Sequence, residues 1–190
     1  WFAQLLELLQ HDHTAENLAP LPPRADIINL LRDKSAHKDL RAIGFHPAEP
    51  IGVWTSSSLA MLRLQMDTAE PALRLELSFS MLTPNHAVEI QVLEELTQRV
   101  AKLQLHYDDA ARGQVSCRLD LPAFSGPLQI SLMCDATCSP ESLNLSTDSR
   151  ELGLLIASLK LLQSKTAPPQ PILMGFKARL RYVFSVFLKA

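Results

Sequence analysis

Cysteine is scarce in this chain and odd in number. Cys117, Cys134 and Cys138 are the only three in 190 residues, which argues against a disulfide framework and for reduced, partly buried thiols of the cytosolic kind. Cys134 and Cys138 can pair only if the turn between them brings their Cβ atoms together. Aromatic residues make up 6% of the chain, so there is little material for the exposed rings on which sandwiches usually stack sugars. No apolar run approaches roughly 18 residues, and no spanning helix is expected. The N-terminus has no basic region followed by an apolar stretch, so no secretory signal is expected. A formal net charge of −2 gives no whole-chain attraction for nucleic acid. Gly-x-Ser-x-Gly, a phosphate loop and Gly-x-Gly-x-x-Gly are all missing, which removes the local signatures of serine hydrolases, P-loop enzymes and dinucleotide-binding enzymes.

What the chain does have is apolar content, 47%, and proline, thirteen against six glycines. The first figure is globular and the second suits a strand-rich body with many turns. Residues 44–164 carry period-two alternation. In Leu73-Arg-Leu-Glu-Leu-Ser-Phe-Ser80 the leucines and Phe79 fall on one face and Arg74, Glu76 and Ser78 on the other. Similar segments run over 59–65, 88–92, 100–105, 115–121 and 128–134, and a final strand begins near Leu152. Turn signals between them recur at sandwich spacing. The tip at Glu94-Glu95-Leu96-Thr97 reads as a turn or a short helix. The fold class expected is mostly β, an antiparallel jelly-roll-like β-sandwich.

Both ends of the chain differ from this body. Residues 1–43 predict a helical pair. Phe2, Leu5, Leu6, Leu8 and Leu9 mark the first helix; Ile27, Ile28, Leu31, Leu40 and Ile43 mark the second. From Lys165 to Ala190 there are five basic residues and no acidic one. After the linker Ala167-Pro-Pro-Gln-Pro171, Phe176, Leu180, Val183 and Phe187 form a helical stripe that Phe184 and Leu173 widen, with Lys177, Arg179 and Arg181 towards its margins. Such a basic amphipathic helix reads either as a membrane-surface or partner-binding element, or as a helix packed on the domain.

Candidate chemistry is thin. His11 and His13 lack a third ligand at a recognisable spacing, the other histidines are scattered, and neither a metal nor a cofactor is expected. Asp108-Asp109 resembles a loop between strands more than an acid/base pair. Trp54 is the best candidate for a ligand-binding face, with Tyr107 beside it, although a tryptophan at a strand end is more often core. Asp148 and Arg150 read either as a polar pair lining a groove or as a salt bridge that caps the turn into the last strand.

Two motifs bracket the alternating strands. Gly44-Phe-His-Pro-Ala-Glu49 and Gly52-Val-Trp-Thr55 open the stretch; Ser139-Pro-x-x-Leu-x-Leu-Ser-x-Asp-x-Arg-x-Leu-Gly153 closes it. Together they resemble an accessory β-sandwich domain attached to bacterial glycosyltransferases and related polysaccharide-biosynthesis proteins. The resemblance covers about residues 44–162. Asn144 stands where family members tend to have glycine, Ser56–Ser58 occupies a turn that usually holds one, and the Leu93–Thr97 tip lacks the usual Asn-Gly turn. The resemblance implies a non-catalytic, cytoplasmic module of a cell-surface glycan-assembly protein. Its partners would be a glycan or the glycosyltransferase's catalytic region, and the terminal helix would hold it peripherally at the anionic inner membrane. A carbohydrate-recognition domain for glycan export, a scaffold module of a secretion complex, and an enzyme whose site is assembled from separate loops are the alternatives.

Overall fold

The structure, a computed structural model, describes residues 25–32, 40–66, 73–107, 113–121, 126–163 and 173–174. The elements in chain order are β1 (Ala25–Asp26), α1 (Ile27–Arg32), β2 (Leu40–Ile43), β3 (Val53–Trp54), β4 (Leu59–Met66), β5 (Leu73–Ser80), β6 (His86–Glu94), β7 (Arg99–Tyr107), β8 (Val115–Leu121), β9 (Gly126–Cys134), β10 (Leu155–Gln163) and β11 (Leu173–Met174). They form two sheets in which every pairing is antiparallel. The first sheet has the order β1-β10-β5-β8-β11, with β3 also pairing β10; the second has the order β2-β4-β9-β6-β7. From β4 to β10 the chain alternates between the sheets, except for the β6–β7 hairpin. This is the jelly-roll-like sandwich that the alternation predicts.

The core follows from that alternation. Leu73, Leu75, Leu77 and Phe79 of β5, Cys117, Leu119 and Leu121 of β8, and Ile156, Leu159 and Leu161 of β10 turn inward from the first sheet. They meet Leu62 and Leu64 of β4, Val88, Ile90 and Val92 of β6, Leu103 and Leu105 of β7, and Leu128, Ile130 and Leu132 of β9. Each such side chain removed from water contributes about 1.5–3 kcal/mol. Ala157 interrupts the count: the register of β10 against β5 shifts between Ile156 and Ser158, a bulge that returns Leu159 and Leu161 to the core.

Three expectations for the ends change. Leu40 and Ile43 do not continue the helix of Ile27 and Ile28, because Leu40–Ile43 is strand β2, paired with β4 from Leu40↔Leu64 to Ile43↔Met61. Four residues are too few for strand and helix periods to be told apart. The helix itself is one short piece, Ile27–Arg32, capped by Asp26, whose Oδ1 accepts the Asn29 N–H at 3.2 Å. Leu173 likewise belongs to strand β11, opposite Cys117, and not to a helical stripe. The proposed first helix and Phe176, Lys177, Arg179, Leu180, Arg181, Val183, Phe184 and Phe187 lie outside the described residues. Among the described residues no helix is long and apolar enough to cross a membrane.

Candidate functional site

The two sequence motifs come together in the fold, each held by hydrogen bonds within itself and joined to the other by a smaller set between them. Ser139 opens a single helical turn: its Oγ accepts the Ser142 N–H at 3.1 Å, and Pro140 takes the first position, where no N–H is needed. Asn144 closes that turn in the left-handed region, φ 57°, with Leu145 N–H donating to Pro140 O and Asn144 N–H to Glu141 O. This is the double bond pattern of a Schellman cap, whose left-handed position asparagine tolerates.

Asp148 and Arg150 then form the turn into the closing segment. Asp148 Oδ1 accepts the Arg150 backbone N–H at 3.0 Å, and the guanidinium donates to both carboxylate oxygens, at 2.6 Å to Oδ2 at closest. The side-chain and backbone hydrogen bonds from Arg150 hold the Asp148 carboxyl down to about 2 and raise Arg150 above its ordinary value. Arg150 Nη2 also donates to Glu49 Oε1 at 2.9 Å, and a His46 ring nitrogen lies 2.8 Å from Glu151 O. Deeper in, Thr55 bonds on three sides: its N–H donates to Leu154 O, its carbonyl accepts the Gly153 N–H, and its Oγ1 accepts the Leu154 N–H at 2.9 Å. A Cβ on Gly153 would stand 2.4 Å from Thr55 Oγ1, and one on Gly52 would stand 2.4 Å from Ile156 O, so both positions require glycine. The motif residues therefore join the opening and closing segments. Asp148 and Arg150 are the turn-capping salt bridge.

Trp54 and Tyr107 are 7% and 4% exposed, so neither ring presents a free face. Trp54 pairs opposite Leu155 on β10; Tyr107 packs its ring 6.2 Å from Phe79 and donates its hydroxyl to Gly113 O. The exposed aromatic face that carbohydrate stacking calls for is not formed by this pair. Asp108 and Asp109 lie outside the described residues.

A second cluster has no counterpart among the residues singled out from the sequence. A His86 ring nitrogen, Nδ1, lies 2.8 Å from Asp135 Oδ1; the other, Nε2, lies 2.8 Å from Thr83 Oγ1. Burial works against the Asp135 carboxylate, but the Ala87 N–H at 3.0 Å and His86 outweigh it and keep it below its ordinary value. With a carboxylate at Oδ1, Nδ1 is the donor, and in the neutral ring Nε2 accepts the Thr83 hydroxyl. The residue order is that of a nucleophile relay. Here it clamps the start of β6 to the loop after β9.

The outer faces of the sheets differ in chemistry. On the first sheet, charges neutralise each other across strands: Arg74 with Asp120 at 2.7 Å and Arg118 with Glu76 at 3.0 Å. Beside them, Ser78, Ser116, Ser158 and Gln114 line a shallow depression. On the second sheet, outward positions of β9, β6 and β7 bring Gln129, Gln91, Gln104, Glu89 and Lys102 onto one surface, with Met133 among them; Ser131 and, on β4, Met61 are buried beside Gln129, whose amide donates to both. Glu89, Lys102, Gln104, Met133 and Asp135 line a groove of about 490 Å³ on this surface. Among the described residues no group of three or more His, Cys, Asp or Glu could hold a metal ion.

No protein-family model and no curated protein matches the chain. Among solved structures it is similar to the C-terminal CBM6 of LamC, a marine laminarinase from Zobellia galactanivorans, at 10% identity over 65% of this chain and 92% of that one, TM-score 0.38. It is similar to TmCBM61 in complex with β-1,4-galactotriose at 10% identity over 78% and 92%, TM-score 0.39. It is also similar to a two-domain esterase active on acetylated mannans, at 13% identity over 88% of this chain and 45% of that one, TM-score 0.42. Likenesses of this strength assign neither a ligand nor an activity.

Proposed function

We propose that this chain is a non-catalytic, glycan-contacting accessory module of a bacterial glycan-assembly protein, a glycosyltransferase by the resemblance of its bracketing motifs. The observation that carries the proposal is the outer face of the second sheet. Amides, a carboxylate and an ammonium side by side are the donors and acceptors that sugar hydroxyls need, and Met133 between them suits the C–H face of a sugar ring. The bracketing motifs are spent on joining the ends of the sandwich, so the contact surface is sought on the sheet and not in the motifs. In this proposal the basic C-terminal segment holds the module against an anionic inner-membrane surface.

Binding of the 190-residue chain to a glycan array tests the first part, with Gln91→Ala/Gln129→Ala beside it. Specific binding that the double variant loses, with its circular dichroism unchanged, is the expected result. A double variant that binds like the parent would remove the sheet face as the contact. Flotation with phosphatidylserine vesicles tests the second part; flotation indifferent to anionic lipid, or to removal of residues 165–190, would eliminate the membrane tether.

A further inference from the structure

We infer that the groove between β6, β7 and β9 is a subsite for a neutral sugar, held through adjacent hydroxyls by Glu89, Lys102 and Gln104 over Met133. This inference rests on the glycan-contact proposal and names its site and ligand class.

Glu89 Oε2 accepts two hydrogen bonds, from Lys102 Nζ at 2.7 Å and Gln104 Nε2 at 2.7 Å. Both partners lie on β7, two residues apart and on the same face; Glu89 pairs directly opposite Gln104. The side chains are thus positioned by strand register and by each other. Glu89 Oε1 takes part in neither bond. Lys102 keeps donors and Gln104 keeps an amide carbonyl as acceptor. A hydroxyl both donates and accepts, so two neighbouring hydroxyls match this alternation of acceptor, donor and acceptor. Met133, directly opposite Glu89 on β9, adds a polarisable apolar contact in the same groove.

Charge decides the class of sugar. Lys102 is neutralised by Glu89. Asp135, also lining the groove, holds its negative charge against His86. On the same face Arg63 is bound at both ends of the Glu95 carboxylate, at 2.7 Å each. A uronate or phosphorylated sugar would have to draw Lys102 away from Glu89 while facing two carboxylates. A neutral sugar meets no such opposition. With no aromatic platform in the groove, the site is weak, on the order of a millimolar Kd.

The test is a nuclear magnetic resonance titration of the 190-residue chain with neutral glucose, mannose and galactose pentasaccharides and with pentagalacturonate. Expected are shifts in the backbone amides of 87–91, 102–106 and 132–135 with at least one neutral sugar, and an affinity at least tenfold lower in Glu89→Ala and Gln104→Ala. A preference for pentagalacturonate would overturn the ligand class. Neutral-sugar shifts centred on Ser78, Ser116 and Ser158, unchanged in Glu89→Ala, would overturn the site but leave the glycan-contact proposal standing. No binding by any of these sugars would overturn both.

Discussion

Arg150 reaches back 101 residues to donate to Glu49 at 2.9 Å while holding Asp148 in a bidentate pair. One guanidinium thus ties the turn after β9 to the loop before β3. The group is largely solvent-facing, so its worth is set by screened charge and not by burial. Arg150→Ala is expected to lower the melting temperature only slightly, by no more than about 4 °C. A collapse of the cooperative transition would mean that the pair carries far more of the fold than its exposure allows.

The same pair sets a pH dependence. Asp148 is held down to about 2 from an ordinary 3.8. A carboxyl whose pKa is lower in the folded state stabilises it fully above the unfolded value, and the contribution disappears as pH falls through the folded one. The difference in melting temperature between the parent chain and Asp148→Asn should therefore be constant above about pH 5, shrink as pH falls from there, and keep only a small remainder at pH 2. Thermal scans at pH 7, 4, 3 and 2 measure it; a difference that persists unchanged at pH 2 would mean that the carboxylate is not the stabilising group.

Thr55 is the buried counterpart of that surface tie. Val has its shape but no acceptor, so Thr55→Val strands the buried Leu154 N–H. The expected cost is about 1–3 kcal/mol. Thr55→Ser keeps the acceptor and loses only a methyl group, about 0.8 kcal/mol. Urea midpoints at unchanged slope compare the two; equal midpoints would show that the hydroxyl contributes nothing beyond its packing.

How much of this was legible follows from length and distance. The eight-residue β5 and seven-residue β8 match their alternating stretches because several periods fit in each. The two-residue β1, β3 and β11 hold no full period, and they are defined by the strand each one pairs with. Asp148 and Arg150 could be paired from their spacing, whereas nothing near Glu49 announces its share in the bridge. Glu89, Lys102 and Gln104 occupy the polar half of an alternation and so read as a solvated face. Only the register of β6 against β7 shows that they converge. Trp54 reads more readily as core than as ligand platform, yet it is the best ring candidate, with Tyr107, because a strand end does not reveal which way a ring turns.

Burial of Trp54 changes what its removal would report. Trp54→Ala is expected to cost about 3–5 kcal/mol and to lose any glycan binding through loss of the fold. Trp54→Phe should keep both the fold and the affinity. Titration of Trp54→Phe with the best-bound neutral pentasaccharide decides this. Lost affinity in a chain that still melts cooperatively would return the indole to the binding surface.

The three thiols should differ in reactivity. Burial pushes Cys117 up to about 12, and burial together with the Asp135 charge pushes Cys134 up to about 11. At pH 8 roughly one Cys117 in ten thousand is thiolate. Cys138 is less buried than either, with Thr83 Oγ1 3.8 Å from its sulfur. Iodoacetamide followed by peptide mass spectrometry should find Cys138 modified first and Cys117 last, with the order erased in urea. Early modification of Cys117 in the folded chain would contradict its burial in the core.

Asn144 offers the sharpest test of the view that the closing motif is folding chemistry. Its φ of 57° is open to glycine without strain and tolerated by asparagine, while a Cβ without a local hydrogen-bonding side chain raises the cost by about 1–2 kcal/mol. Asn144→Gly should leave stability unchanged or slightly improved, Asn144→Ala should lose about 1 kcal/mol, and Asn144→Val should lose more. None of the three should alter sugar affinity, because the left-handed cap belongs to the turn at Ser139–Asn144 and the groove belongs to β6, β7 and β9. Chemical denaturation and the pentasaccharide titration run on the same three variants separate the effects. An Asn144→Ala chain as stable as its parent but weaker for sugar would mean that the motif serves the ligand after all.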